Sequence, residues 1–138
     1  MRRKFILAWL GYVIATFIGG FAWHLVLFKQ TYIELKIFTR IEDPVIPLGL
    51  SAMVLQGAIL AYVYPLFSRW RQPAVDGLRL GALAGVFLAT SAVLAEAGKN
   101  YVASLSTWLA LETTYYLLQF MLSGLVIGLV YGHKERAA

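Results

Sequence analysis

Two long stretches of this sequence contain no charged residue, and they constrain the fold more than any other feature. Residues 5–28 and 44–68 carry no Asp, Glu, Lys or Arg. A helix needs about 20 apolar residues to cross the hydrocarbon core of a bilayer, so each stretch predicts one spanning helix. The composition agrees: 60% of the residues are hydrophobic and 14% are charged, against about 25% charged in an average soluble domain. The sequence therefore predicts an integral membrane protein.

The second half of the chain is predicted to cross the membrane twice more. Residues 78–98 form a third candidate helix with Arg79 and Glu96 near its ends, where long side chains reach the headgroups. Residues 104–131 form a fourth candidate helix, which contains Glu112. We therefore expect an all-α, integral membrane four-helix bundle in which residues 1–138 form one domain. The helices are expected at approximately 5–28, 44–68, 78–98 and 104–131.

The basic residues predict how the helices are oriented. An even number of spans places both termini on one side of the membrane. Ten charged residues then lie on that side, eight of them basic: Arg2, Arg3, Lys4, Arg69, Arg71, Arg79, Lys134 and Arg136, with the acidic Asp76 and Glu135. Basic residues near helix ends accumulate in the cytoplasm, so we expect both termini there. Because this charge is spread over three helix ends, the net charge of +5 indicates no nucleic-acid partner.

Residues 29–43 form the only sizeable predicted loop. Its large apolar residues recur at roughly helical spacing: Ile33, Ile37, Phe38 and Ile41. This spacing predicts an interfacial helix with those residues on its apolar face. Asp43 followed by Pro44 is typical of a helix start, because the carboxylate caps free amides and proline needs no amide there. Asp76 is expected to cap the third helix in the same way.

Small residues recur at every fourth position on three of the predicted helices. They are Gly11, Ala15 and Gly19 on the first helix, Gly77, Gly81, Gly85 and Ala89 on the third, and Gly124, Gly128 and Gly132 on the fourth. In a bilayer such residues mark where helix backbones approach closely. The pattern predicts packing within the bundle. The alternative is a face that docks a second copy or another membrane subunit.

Polar side chains inside the predicted spans are the candidate functional residues. They are Glu112, Gln119 and Ser123 on one face of the fourth helix, Gln56 on the second, His24 on the first and Glu96 on the third. Glu112 lies about 12 Å along its helix from the outer end, and an ionisable group in a membrane is costly enough to indicate function. His24, Glu96 and Glu112 have similar predicted depths. They predict either a structural network or a site for a proton, a cation or a divalent metal.

Motifs of the common enzyme classes are missing from the sequence. The chain has no cysteine, which excludes a disulfide scaffold and a thiolate site. It has no glycine-rich phosphate loop, no Gly-x-Ser-x-Gly elbow and no His-Glu-x-x-His helix. The sequence therefore indicates no catalytic residue, no cofactor and no dedicated metal site.

Three segments of the sequence carry a resemblance to a known family. They are Gly19-Gly20-Phe21-Ala22-Trp23-His24 with Leu27-Phe28 and Tyr32, Pro44 with Pro47-Leu48-Gly49, and Ser104-Leu105-Ser106-Thr107-Trp108-Leu109 with Glu112. Through them the chain resembles, over most of its length, the small bacterial four-helix membrane proteins grouped as domain of unknown function 1761. The resemblance implies a location in the bacterial inner membrane and assigns no catalytic residue.

Two functions fit these features. The leading hypothesis is a non-enzymatic accessory subunit of a membrane assembly, or a homo-oligomer, that associates through its small-residue faces: Gly11, Ala15, Gly19, Gly81, Gly85, Gly124 and Gly128. The alternative is a transporter of a proton, a cation or a small solute that uses Glu112 with Gln119, Gln56, His24 and Glu96. A membrane enzyme acting on a lipid or quinone would need a lateral pocket lined by the same polar groups. In each case the lipid bilayer is the expected partner.

Overall fold

The computed structural model describes residues 2–40, 42–69 and 71–132, which form helices and turns without a strand in these ranges. Two of the helices continue into π-helical segments. In chain order the elements are α1 (Arg2–Phe21) with the π-helical Ala22–Leu27, α2 (Lys29–Leu35), α3 (Ile46–Phe67), α4 (Pro73–Ala89) with the π-helical Thr90–Ala95, α5 (Glu96–Lys99) and α6 (Leu105–Gly132). Ile41, Trp70 and the tail at 133–138, which holds Lys134, Glu135 and Arg136, lie outside the described residues.

Four helical stretches among the described residues are long and apolar enough to cross a membrane: Arg2–Leu27, Ile46–Phe67, Pro73–Lys99 and Leu105–Gly132. Their outward faces are apolar, because Leu48, Leu66 and Phe87 are 70%, 74% and 75% exposed. Soluble monomers rarely expose large continuous apolar surfaces. The predictions of an all-α chain and of four spans are confirmed, and the chain is a multi-pass membrane protein.

The connection between the first two spans differs from the prediction. α2 ends at Leu35, so Ile37 and Phe38, expected on the apolar face of an interfacial helix, lie beyond its end. The residues of α2 that are buried are Tyr32 and Leu35. Tyr32 faces the bundle because its hydroxyl donates a hydrogen bond to the carboxyl of Glu112 in α6.

The starts of the second and third spans also differ from expectation. α3 begins at Ile46 with Val45 as its N-cap, so Asp43 does not cap it. α4 begins at Pro73 rather than at residue 78, because proline is well suited to the first helical position. Asp76 lies inside the first turn of α4 and makes no cap hydrogen bond.

Asp76 instead stabilises the turn between α3 and α4. Its carboxylate accepts hydrogen bonds from Ser68 Oγ at 2.8 Å and from the backbone N–H of Arg69 at 3.0 Å. Asp76 is buried, and a buried carboxylate requires such donors. The turn therefore holds the ends of α3 and α4 together.

The glycine stripes of α4 and α6 face each other. A Cβ atom on Gly81 would collide with the backbone carbonyl of Phe120, and Cβ atoms on Gly77 and Gly124 would each collide with the other residue's carbonyl. Gly85 and Gly128 lie in the same contact, against Tyr116 and Pro73. The two backbones thus approach as closely as glycine allows, which is how small residues join helices in a bilayer.

The small residues of α1 pack less closely against other helices than those of α4 and α6. A Cβ atom on Gly11 would lie 2.8 Å from Val126 Cγ1 of α6, and Ala15 is half-buried. Gly19 is exposed, and nothing lies within 4 Å of the position that its Cβ would occupy. The expectation that Gly19 packs against another helix is therefore wrong within this chain, because α1 turns that residue outward.

The bundle has two ends that differ in chemistry. At the end where the first span begins, called the terminal end, Lys4 donates a hydrogen bond to the Tyr131 carbonyl, and the Tyr131 hydroxyl donates to the Ala61 carbonyl. Apolar residues fill this half of the bundle: Ala8, Leu60, Ala61, Phe120 and Ile127. The opposite end, called the loop end, carries α2, both π-helical segments and Glu112.

α3 is the least embedded of the four spans. It packs mainly on α1, and its buried residues are Gly57, Leu60, Ala61 and Tyr64. No residue in the stretch 46–56 is buried. α3 therefore contacts its neighbours toward the terminal end and diverges from them toward the loop end.

Candidate functional site

Glu112 is the centre of a polar cluster near the loop end. It lies about 10 Å along α6 from the start of the helix and is 3% exposed. His24 Nε2 lies 3.4 Å from Glu112 Oε1, and the Tyr32 hydroxyl donates a hydrogen bond to the same oxygen. The Trp23 indole N–H donates to the Tyr32 hydroxyl oxygen at 3.1 Å. Side chains from the first span, α2 and α6 thus meet at one carboxyl.

Both π-helical segments lie at this end of the bundle. Ala22–Leu27 contains Trp23 and His24, and Thr90–Ala95 presents the Val93 carbonyl, which accepts a hydrogen bond from the Trp108 indole at 3.0 Å. π-helical turns are rare and frequently occur at functional sites. The π-helical backbone therefore indicates a functional site in the same region as the polar cluster.

The contacts of His24 link a backbone carbonyl to the carboxyl of Glu112. His24 Nδ1 is 3.1 Å from the Gly20 carbonyl, and because a carbonyl only accepts, Nδ1 is the donor in this hydrogen bond. Nε2 then faces Glu112 Oε1 at 3.4 Å. The imidazole and the carboxyl thus form a pair of neighbouring groups that can each bind and release a proton.

Tyr32 acts as a permanent donor to this pair. It is 0% exposed, and the loss of water raises the pKa of Tyr32, which the negative charge of Glu112 raises further. The phenol therefore stays protonated at physiological pH. It donates to Glu112 while it accepts from Trp23.

His24 and Glu112 line a cavity of about 400 Å³ between α1, α3 and α6. Thr16, Gln56 and Gln119 also line it, and most of the remaining wall is apolar. A cavity of this size, apolar apart from a few polar groups, is typical of small-molecule sites. The cluster is therefore part of a wall that a ligand can reach.

Phe38 closes this region at the loop end. Its ring centroid lies 5.3 Å from that of Tyr32, 5.6 Å from that of Trp108 and 6.3 Å from that of His24. Phe38 and Glu112 also line a second cavity, of about 360 Å³, on the α4 side of α6. The carboxyl thus faces a cavity on each side of its helix.

The structure brings together four of the six polar residues singled out in the sequence. Glu112, His24, Gln56 and Gln119 line the larger cavity. Ser123 lies deeper, with its Oγ 3.0 Å from Thr16 Oγ1. These contacts place the polar line of α6 against α1, while its glycines face α4.

Glu96 does not join His24 and Glu112, although its predicted depth is similar. Its carboxylate accepts hydrogen bonds from Lys99 at 2.9 Å and Asn100 at 2.8 Å, and it faces the second cavity. In the described ranges there is no group of three His, Cys, Asp or Glu residues that could hold a metal ion. The geometry therefore gives the divalent-metal hypothesis no support.

Tyr32 and Trp23 belong to the site but were not among the candidates from the sequence. A buried tyrosine needs a partner for its hydroxyl, and Glu112 was a predicted intramembrane carboxyl without an assigned donor. A tyrosine in need of a hydrogen-bond partner, together with a carboxyl in need of a donor, was the sequence feature that could have indicated Tyr32. The two residues are 80 positions apart, so no local pattern connects them.

We expect Tyr32→Phe to lower the free energy of unfolding by about 1–3 kcal/mol, because it removes the donor to Glu112 and the acceptor of Trp23. Denaturant unfolding in a mild detergent measures the change. Tyr62→Phe is the matched control, since Tyr62 is 67% exposed. Equal unfolding midpoints for the two variants would contradict a structural role for the Tyr32 hydroxyl.

Comparisons of this chain with protein-family models, with curated proteins and with solved structures find no match. The resemblance to domain of unknown function 1761 rests on the quoted segments and stays a prediction. The function of the chain is therefore inferred from the geometry around Glu112.

Proposed function

We propose that this chain is a proton-linked carrier of a small molecule in a bacterial inner membrane. The observation that carries the proposal is the approach of His24 Nε2 to within 3.4 Å of Glu112 Oε1 at the wall of the 400 Å³ cavity. An intramembrane carboxyl of this kind marks proton relays and substrate pathways. A molecule that enters the cavity and bonds to Glu112 changes which group holds a proton, and this couples binding to proton transfer.

α3 supplies the movement that a carrier requires. The cavity occupies the loop-end half of the bundle, and Leu60, Phe120 and Ile127 fill the other half. Release toward the terminal end therefore requires α3 to move. α3 makes few contacts with α4 and α6, so rocking of α3 against the other spans breaks the fewest contacts, as in alternating access.

The glycine faces give little support to the other hypothesis, an accessory subunit or homo-oligomer that associates through them. Gly81, Gly85 and Gly124 are each covered by the backbone of the facing helix in the same chain. They are not available to a second protein without separating α4 from α6. Assembly with a second copy or a larger complex stays a prediction.

We also propose that both termini face the cytoplasm. Lys4 contacts the Tyr131 carbonyl, so the start of the first span lies beside the end of the last. Arg2 and Arg3 lie at this end of the bundle, as do Arg69 and Arg71 in the α3–α4 connection. Such clusters favour the cytoplasmic side.

Single-cysteine variants test this orientation, because the chain contains no cysteine of its own. We expect a membrane-impermeant maleimide to label Thr39→Cys in intact spheroplasts, since residue 39 lies in the connection at the loop end. Arg71→Cys should be labelled only after permeabilisation. The reverse pattern would contradict the proposed orientation.

Proton flux into liposomes tests the proposed carrier. The purified chain is reconstituted in bacterial polar lipid extract, which supplies bilayer-resident molecules, with a pH-sensitive dye inside. A potassium gradient with valinomycin then draws protons inward. We expect these liposomes to acidify faster than protein-free liposomes. Equal rates would contradict the proposal.

A further inference from the structure

We infer that the molecule bound in the 400 Å³ cavity is a neutral amphiphile with a hydroxyl headgroup, which enters sideways from the bilayer between α1 and α3. This inference rests on the proposed carrier function and names its substrate class. Three features of the cavity support it: the position of its mouth, the charge of its wall and the hydrogen-bonding groups that the wall presents.

The mouth of the cavity opens toward lipid. α3 is hydrogen-bonded to α1 through Val54 and Gln56, whereas residues 46–52 of α3, a length of about 10 Å, are all exposed and diverge from α1. Phe21 and Ile46 line the cavity and are 53% and 50% exposed, so they form its outer rim. Both belong to membrane-spanning helices. A molecule dissolved in the bilayer therefore reaches the cavity without crossing the polar surface of the protein.

The wall of the cavity favours a neutral headgroup. Among the described residues that line it there is no Lys, Arg or Asp, and its charged groups are His24 and Glu112. Of these described lining residues, His24 alone can carry a positive charge, and its Nε2 already faces Glu112. A phosphate or carboxylate headgroup would lose its water without gaining a cation, which is strongly unfavourable.

The polar groups of the wall complement a hydroxyl. Tyr12 donates to Gln56 Oε1 at 3.1 Å, which leaves the amide N–H groups of Gln56 to donate. Both partners of Glu112 contact Oε1. Oε2 is therefore the carboxyl oxygen of Glu112 that stays available to a ligand in the cavity that this residue lines. One hydroxyl can accept from an amide and donate to a carboxyl oxygen.

The rest of the wall is suited to an alkyl chain. Phe17, Leu50 and Met53 are among the apolar residues that line the cavity. Moving an alkyl chain from water onto such side chains is favourable. Moving it from the bilayer costs little free energy, because its contacts with lipid tails are replaced by contacts with equally apolar side chains. The hydroxyl headgroup therefore determines which amphiphiles bind, and the alkyl chain of the ligand fills the apolar part of the cavity.

Photolabelling in liposomes tests this inference with a long-chain alcohol that carries a diazirine on its alkyl chain. Gly49 and Gly19 make a matched pair of positions, because nothing lies within 4 Å of either Cβ position but only Gly49 lines the cavity. We expect Gly49→Leu to reduce labelling by about tenfold and Gly19→Leu to leave it at the wild-type level. Gly49→Ala, which adds one methyl group, should show a smaller loss of labelling. It replaces Gly49→Leu in the test if the leucine variant does not fold.

Two labelling patterns would overturn the inference, and so would the absence of saturable labelling. One pattern is equal labelling of Gly49→Leu and Gly19→Leu, and the other is equal labelling of the wild type by a carboxylate or phosphate probe with the same alkyl chain. Because labelling reports binding and not flux, wild-type proton flux without saturable alcohol labelling would reject this substrate class and leave the proposed carrier intact. Labelling without flux would reject the carrier.

Discussion

Gly81→Leu should destabilise the chain more than any other substitution named above, by about 3 kcal/mol or more. The new side chain would collide with the backbone carbonyl of Phe120, and a backbone in the middle of a helix cannot move away without separating α4 from α6. That separation also removes the close helix contact that replaces the hydrophobic effect inside a bilayer. Denaturant titration in mixed micelles, followed by circular dichroism, measures the loss.

Gly19→Leu is the control for this substitution. It makes the same replacement in a helix, where losing a glycine favours the helical state by about 1 kcal/mol, but its Cβ position is open. We expect its unfolding midpoint to equal or exceed that of the wild type. If Gly81→Leu unfolded at the same denaturant concentration as Gly19→Leu, the α4–α6 contact would not be what holds the bundle together.

Glu112→Gln should reduce proton flux by about 100-fold or more, the typical effect of removing a group that transfers protons. The amide has nearly the same shape as the carboxyl and keeps an oxygen to accept from Tyr32, so the fold should survive. It cannot take up or release a proton as the carboxyl of Glu112 does. His24→Gln should lower the flux for the same reason. The liposome acidification rate measures both effects.

Glu96→Gln makes the same chemical change at a carboxylate that pairs with Lys99 and Asn100. It should leave the flux at the wild-type rate. Circular dichroism of all three variants shows whether the helices are intact. Equal flux from Glu112→Gln and Glu96→Gln would show that the Glu112 proton is not used, and the proposed carrier would then be wrong.

The sequence predicted what depends on local composition. The absence of charge in 5–28 and 44–68 predicted two spans, because each uncharged stretch is long enough to cross the hydrocarbon. Glu112 was predicted as the central polar group because an intramembrane carboxyl is costly. Both inferences need only the identity and position of residues along one helix.

The sequence did not predict what depends on contacts between distant helices. The spacing of the apolar residues predicted an interfacial helix that includes Ile37 and Phe38, whereas α2 ends at Leu35 and its Tyr32 bonds to an acceptor on α6. Depth along a helix does not fix direction around it, so Glu96 was grouped with Glu112, whereas its side chain faces the second cavity. The spacing of the small residues on α4 likewise did not predict that they pack against the glycines of α6.

Nitrogen-15 NMR of His24 in bilayers tests proton exchange between His24 and Glu112 most directly. The chain has two histidines, so the substitution His133→Gln leaves His24 as the only imidazole signal. Proton exchange between His24 and Glu112 predicts a protonated Nδ1 bonded to a carbonyl and an Nε2 resonance that changes in Glu112→Gln, because the amide cannot give a proton to the imidazole or take one from it. An unprotonated Nδ1, or an Nε2 resonance that Glu112→Gln leaves unchanged, would contradict this exchange.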